Sequence, residues 1–126
     1  MTSERLTLAV VEDDREVRTA LNRLLRSMGH DVHLFDSAEA FDAHPAQVDC
    51  LILDVRLPGA SGIELSERLR DKGSQLPVVF ITGDSDPLSR DRPGDAAASG
   101  APAVTKPFSD VDLMDAVARA MSLRDR

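Results

Sequence analysis

The sequence predicts an α/β domain built on an open, doubly wound parallel sheet of five strands. Three observations carry this. First, β-rich apolar runs alternate with amphipathic segments along nearly the whole chain, as in LTLAVV at 6–11, DCLIL at 49–53 and PVVFI at 77–81. Second, these runs are largely uninterrupted, which is the habit of strands covered on both faces, hence of parallel sheets. Third, the chain has 126 residues, which suits one core and leaves little room for a second. Right-handed crossovers then restrict the topology to an open, doubly wound sheet.

The elements follow in order. Leu6 to Val11 is the first strand and stops at Glu12-Asp13-Asp14. From Val17 the apolar residues fall at 17, 20, 21, 24, 25 and 28, one face of a helix, and Gly29 ends it. Val32 to Phe35 is a short strand. Asp36-Ser37-Ala38-Glu39 has the pattern of a capping box and opens a short helix that runs through Phe41 and stops at His44-Pro45. Asp49 to Leu53 is the third strand. Ser61 through Leu69 reads as a helix with a Glu64/Arg68 pair, ending near Gly73. Pro77 to Ile81 is the fourth strand, and Ser109 caps a last helix with apolar residues at 113, 114, 117, 120 and 121. Between them, residues 83–105 must supply a fourth helix and a fifth strand. Pro93-Gly94 does not suit a helix interior. Residues 83–92 are therefore expected as a long loop, and 93–99 as a short helix with Pro93 in its first turn.

Composition narrows the function. The chain is 42 % hydrophobic and 29 % charged with a net charge of −7, and it has no Lys/Arg run. That argues against sequence-independent nucleic-acid binding, which needs cations facing phosphates. No apolar run reaches the length of a membrane span, and MTSERLTLAVV does not have the parts of a signal peptide. The expected compartment is the cytoplasm. Cys50, the single cysteine, sits among apolar neighbours and reads as a packing residue. The three histidines, at 30, 33 and 44, do not have ligand spacing.

The functional signal lies at one edge. Ligands of doubly wound sheets bind outside the carboxyl ends of the strands, where the strand order switches. Glu12, Asp13 and Asp14 follow strand 1, Asp54 follows strand 3, Thr82 and Gly83 follow strand 4, and Lys106 follows strand 5. Clustered carboxylates repel and raise one another's pKa unless a cation sits between them. Carboxylate oxygens with positions left for water are what Mg2+ prefers. Adding a Thr hydroxyl and a Lys ammonium suits an anion with several oxygens, set against an Asp that can attack it; a phosphoryl group fits. Taken singly, these acids have plainer readings. Glu12-Asp13-Asp14 can cap the first helix, and Asp54 can cap the helix that starts near 61.

The motifs VVEDD at 10–14, LDVRLPGASG at 53–62, ITG at 81–83 and TKPF at 105–108 together resemble the response-regulator receiver domain of bacterial two-component signalling, from about Leu6 to Met121. GHDVHLFDSAEAF at 29–41 is similar to receivers that usually precede a helix-turn-helix domain. The resemblance implies a flavodoxin-like (βα)5 fold. The chain is then expected to be a single receiver domain over 1–126, core about 6–121, with no output domain. It further implies that Asp54 is the phosphoacceptor. Asp13 would bind Mg2+ directly and Glu12 through water, with Asp54 and the backbone carbonyl of Arg56 as further ligands. Thr82, Gly83 and Lys106 would meet the phosphoryl oxygens, and the Lys106–Pro107 bond would be cis. Arg56 and Asp84 would flank the phosphoryl group. The implied partners are a histidine kinase or histidine phosphotransfer protein, and a downstream protein bound through the face of helix 4, strand 5 and the last helix. Neither nucleic acid nor membrane is expected as a partner, and the chain would be a monomer or weak dimer.

Two features depart from the family pattern. Ala103 stands where receivers usually carry Tyr or Phe, three residues before the Lys, and GAPAVTK is one residue shorter than usual from Gly to Lys. The fourth helix is interrupted by Pro93-Gly94, so the output face is expected to be small and mobile. Three alternatives remain at this point. One is a receiver-like interaction module that works without phosphorylation. Another is an Asp-nucleophile phosphohydrolase, although Arg56 occupies the place where such enzymes carry a second Asp. The weakest is a flavin-binding module, whose phosphate the carboxylate rim would repel.

Overall fold

The structure is a computed structural model that describes residues 5–43, 47–57, 61–83, 102–106 and 108–124. Its described elements are β1 (Thr7–Val11), α1 (Arg15–Ser27), β2 (Asp31–Phe35), α2 (Ala38–Ala43), β3 (Cys50–Asp54), α3 (Gly62–Asp71), β4 (Val78–Thr82), β5 (Ala103–Thr105) and a last helix, here α4 (Asp110–Arg124). The five strands form one sheet in the order β2-β1-β3-β4-β5, with every pair parallel. The order reverses between β1 and β3, and that is the switch point at which such sheets bind ligands.

Period-two alternation sorts the strand residues onto two faces. Leu8, Val10, Cys50, Ile52, Val79, Ile81 and Val104 share one face. They pack against Leu21 and Leu25 of α1 and against Leu113, Ala116, Val117 and Ala120 of α4. Ala9, Val11, Leu51, Leu53, Val78 and Phe80 share the other, under Ala38 and Phe41 of α2 and Leu65 of α3. Every residue of β3 and β4 is buried, which is why their sequences show no alternation.

Several boundaries differ from the sequence reading by one residue. Asp54 and Thr82 are the last residues of β3 and β4 rather than the first beyond them. Asp49 precedes β3, and its carboxylate accepts the N–H of Thr7 at 2.9 Å, closing the start of β1. On α1 only Leu21 and Leu25 are fully buried; Val17 and Leu24 are half-buried, and Ala20 and Met28 are exposed. The expected Glu64/Arg68 pair gives way to other partners, one distant and one local. Arg68 reaches Asp42 of α2 at 2.6 Å, and Glu64 Oε1 accepts the Ser61 N–H at 2.9 Å in a capping box. Gly29 (φ +92) and Gly73 (φ +85) do end α1 and α3, in the left-handed region that glycine tolerates. Ser109 caps α4 by accepting the Asp112 N–H at 3.1 Å. The expected loop at 83–92 apart from Gly83, the short helix at 93–99, Asp84, and Pro107 with its cis bond lie outside the described residues.

Candidate functional site

The sheet register brings the site together. Val11 pairs with Leu53, so Glu12 and Asp54, one step further along each strand, emerge side by side. Asp54 pairs with Ile81 and Thr82 with Thr105, and Lys106 follows Thr105. Residues 12, 54 and 106 also share the strand parity of Val10, Ile52 and Val104, the face covered by α1 and α4. The tertiary fold thus places three charged groups from three strands at one end of one face.

The distances are short. One carboxylate oxygen from each of Glu12, Asp13 and Asp54 lies within 4.8 Å of the others. Lys106 Nζ is 3.5 Å from Glu12 Oε1 and 3.5 Å from Asp54 Oδ2. Asp54 Oδ1 accepts the Arg56 N–H at 2.9 Å, and Glu12 Oε2 accepts the Asp14 N–H at 3.0 Å. Glu12 is only 1 % exposed, Thr82 2 % and Asp54 4 %, whereas Asp13 is exposed. The Thr82 hydroxyl donates to the Thr105 hydroxyl at 3.4 Å, a long and easily exchanged bond. Gly83 follows Thr82 and is half-buried.

Charge is unbalanced in this pocket. Burial pushes the Glu12 carboxyl up to about 7, and the adjoining Asp54 carboxylate adds to the rise. Burial pulls the Lys106 ammonium down, but Asp54 and Glu12 outweigh it and the net shift is upward. Three carboxylates facing one ammonium carry an excess of negative charge when all are ionised. Glu12 Oε1 is buried and, apart from the long ion pair to Lys106 at 3.5 Å, has no hydrogen bond among the described residues, and a buried oxygen without one is costly. Hard oxygen donors, surplus negative charge and one unsatisfied buried oxygen fit a small divalent cation such as Mg2+. Each of these features is relieved by a cation between the carboxylates.

Asp14 stands apart from this cluster. Its Oδ1 accepts the N–H groups of Glu16 and Val17 and caps α1. The capping alternative therefore holds for Asp14 and not for Glu12 or Asp13. Nor does Asp54 cap α3, because Ser61 does so by accepting the Glu64 N–H at 3.1 Å. Ala103 is exposed on β5 and lines a groove against α4 together with Thr105, Asp112 and Arg119. No bulky side chain from β5 fills that groove.

Two residues close to the site, Gly62 and Arg18, stand in the sequence only as part of the LDVRLPGASG motif and as a spacing mark for the Glu12/Asp13 pair, and the structure shows what each contacts. A Cβ built on Gly62 would collide with the backbone carbonyl oxygen of Asp54. Only glycine lets the start of α3 come this close to the end of β3. The signal was the second glycine of PGASG, but its meaning requires the distance. Arg18 is the other: its guanidinium bonds the backbone carbonyls of Glu12 and Asp13. A lone Arg in a charged helix turn gives no such indication.

A model of the response regulator receiver domain matches residues 8–118. The chain belongs to that family. Among curated relatives, the receiver domain is 38 % identical to the response regulator protein TmoT of Ectopseudomonas mendocina, over 98 % of this chain and 56 % of that protein. It is 40 % identical to nodulation protein W of Bradyrhizobium diazoefficiens, over 98 % of this chain and 54 % of that protein. It thus spans about half the length of the curated relatives it matches. Among solved structures it superimposes on FixJ-N with a TM-score of 0.82 at 31 % identity, covering 96 % of each chain. Among the described residues no helix of the receiver domain is long and apolar enough to cross a membrane.

Proposed function

We propose that this receiver domain is a phosphoacceptor that takes a phosphoryl group on Asp54 from a histidine kinase or histidine phosphotransfer protein. The observation that carries this reading is the convergence of Glu12, Asp13 and Asp54 within 4.8 Å at the switch point, with Lys106 reaching across to two of them. An Asp54 carboxylate oxygen attacks the donor's phosphorus. The donor's P–N or P–O bond breaks, its electron pair leaves with the donor, and an acyl phosphate forms. Asp54 is held for this by the Arg56 N–H and the Lys106 ammonium. Glu12, Asp13, Asp54 and the backbone carbonyl of Arg56 would hold Mg2+, which neutralises charge as the phosphoryl group approaches and lets an acidic pocket accept an anion. Lys106 exchanges its bond to Asp54 for one to a phosphoryl oxygen, while Thr82 turns its hydroxyl from Thr105 to another, beside Gly83.

The added charge at residue 54 then alters contacts at Thr82 and Lys106, both adjoining β5. The downstream protein partner binds the face that includes β5 and α4. The domain acts in the cytoplasm as a signalling protein, a monomer or weak dimer, whose own chemistry is limited to self-phosphorylation and slow dephosphorylation. Incubation with acetyl phosphate and Mg2+ is expected to add one phosphoryl group, read by intact mass. Asp54→Asn is expected to abolish the addition, and undiminished labelling of that variant would overturn the assignment.

A further inference from the structure

Arg18 is the fourth residue of α1. One of its nitrogens, Nη1, donates to the carbonyl oxygen of Glu12 at 2.9 Å and to that of Asp13 at 3.2 Å. The start of α1 does not need these bonds. Asp14 already caps it through Glu16 and Val17, and the Arg18 N–H is satisfied by the Asp14 carbonyl at 2.9 Å. The side chain is instead directed backwards, at the two residues whose carboxylates form the acidic site with Asp54.

What the contact fixes follows from peptide planarity. The Glu12 carbonyl belongs to the plane joining residues 12 and 13, and the Asp13 carbonyl to the plane joining 13 and 14. The two planes that flank Asp13 set its φ and ψ, and with them the direction of its Cα–Cβ bond. Glu12 is held in the same way, since its N–H donates to the Phe35 carbonyl at 3.0 Å. Its carboxylate is also tied to the Asp14 N–H. The Asp13 carboxylate is exposed, and no hydrogen bond from a described residue holds it. Its direction depends on the backbone beneath it, and Arg18 bonds that backbone on both sides.

We propose that Arg18 is a positioning residue for the divalent cation: by fixing both peptide planes around Asp13 it presets the carboxylate cluster and strengthens Mg2+ binding without touching the ion. This rests on reading the cluster as a cation-dependent phosphoacceptor site. A guanidinium near a cation site also repels the cation. Losing Arg18 therefore has two opposed effects, and their balance decides the sign. Positioning predicts weaker binding when Arg18 is removed; bare charge repulsion predicts tighter binding.

The test is a Mg2+ titration of the chelator-treated full chain, followed by backbone amide NMR shifts, for wild type, Arg18→Met, Arg18→Lys and Asp13→Asn. Melting temperature is recorded alongside by circular dichroism, since the chain has neither Trp nor Tyr. Partners that orient metal ligands are worth about 10–100-fold in affinity. Arg18→Met keeps much of the apolar stem but no donor, and is expected to raise the Mg2+ Kd about tenfold. Arg18→Lys restores donors to the two carbonyls and is expected to recover part of that loss. A Kd unchanged in Arg18→Met, with only the melting temperature lowered, would assign Arg18 to folding alone and overturn the proposal. Tighter binding in Arg18→Met would overturn it in favour of charge repulsion. Should wild type fail to bind Mg2+, or Asp13→Asn bind as tightly as wild type, the reading of the site falls and the proposal falls with it. A failure confined to the Arg18 variants leaves that reading intact.

Discussion

Glu12 is a buried carboxyl beside a second buried carboxyl. Its folded pKa is raised from the ordinary 4.5 to about 7, first by burial and then by Asp54. The linkage has a definite sign. A group whose pKa is higher folded than unfolded contributes stability that is complete below its unfolded pKa and is lost as pH rises through its folded pKa. In EDTA, the contribution of Glu12 should therefore fall between about pH 4.5 and about pH 7, as the pocket is forced to ionise. On the proposed reading, Mg2+ bound among these carboxylates would neutralise the same charge, and its stabilising effect should be larger at about pH 8 than at about pH 5. Glu12→Gln keeps the shape and removes the charge. In EDTA above neutrality it is expected to be more stable than wild type by on the order of 1–3 kcal/mol, read from urea midpoints. It should also lose most of the Mg2+ response. A wild-type midpoint in EDTA no lower above neutrality than Glu12→Gln would sink this account.

The elements meet at the site through close backbone approach, and Gly62 is where this is tightest. Replacing a helical Gly by Ala ordinarily stabilises by about 0.4–1 kcal/mol. At Gly62 the new methyl meets the Asp54 carbonyl, and backbone in the centre of a sheet cannot yield as a flexible side chain can. Overpacking of this kind costs about 1–3 kcal/mol. The clash should win, so Gly62→Ala is expected to lower the urea midpoint and to displace the end of β3 at Asp54. A midpoint at or above the wild-type value would mean that α3 shifts freely away from β3. The same division between pattern and distance decides what a sequence makes legible. Strands β1, β3 and β4 were legible because burial on both faces leaves unbroken apolar runs, and α3 because Ser61 and Gly73 punctuate it. The partners of Glu64 and Arg68 were not, because helix spacing suggests a local pair while the capping box and Asp42 compete for them. Glu12, Asp13, Asp54, Thr82 and Lys106, the candidate site residues, could be placed at one edge because topology alone carries strand ends there. Gly62 and Arg18 act through backbone atoms, which leave no periodic trace in a sequence.

At the scale of the molecule, the described residues form one sheet between two apolar layers, and Cys50 reports on them as a unit. Cys50 begins β3, the central strand, and is fully buried within the α1/α4 layer. Burial pushes its thiol up to about 12, so very little reactive thiolate exists while the sheet is closed. It is also the only cysteine in the chain, so a thiol reagent reads one position. Labelling by a disulfide reagent is therefore expected to wait on opening of the domain and to proceed at least about a thousandfold slower than in denaturant. Mg2+ that binds only the closed form lowers the open population by the factor 1 + [Mg2+]/Kd. At roughly ten times its Kd, Mg2+ should slow labelling of wild type by about tenfold, and should leave Asp54→Asn much less affected. The comparison ties the acidic edge to the stability of the sheet beneath it. Rapid labelling of the native chain would contradict the packing of β3, whereas slow labelling that ignores Mg2+ in wild type would separate the cation site from the global opening of the fold.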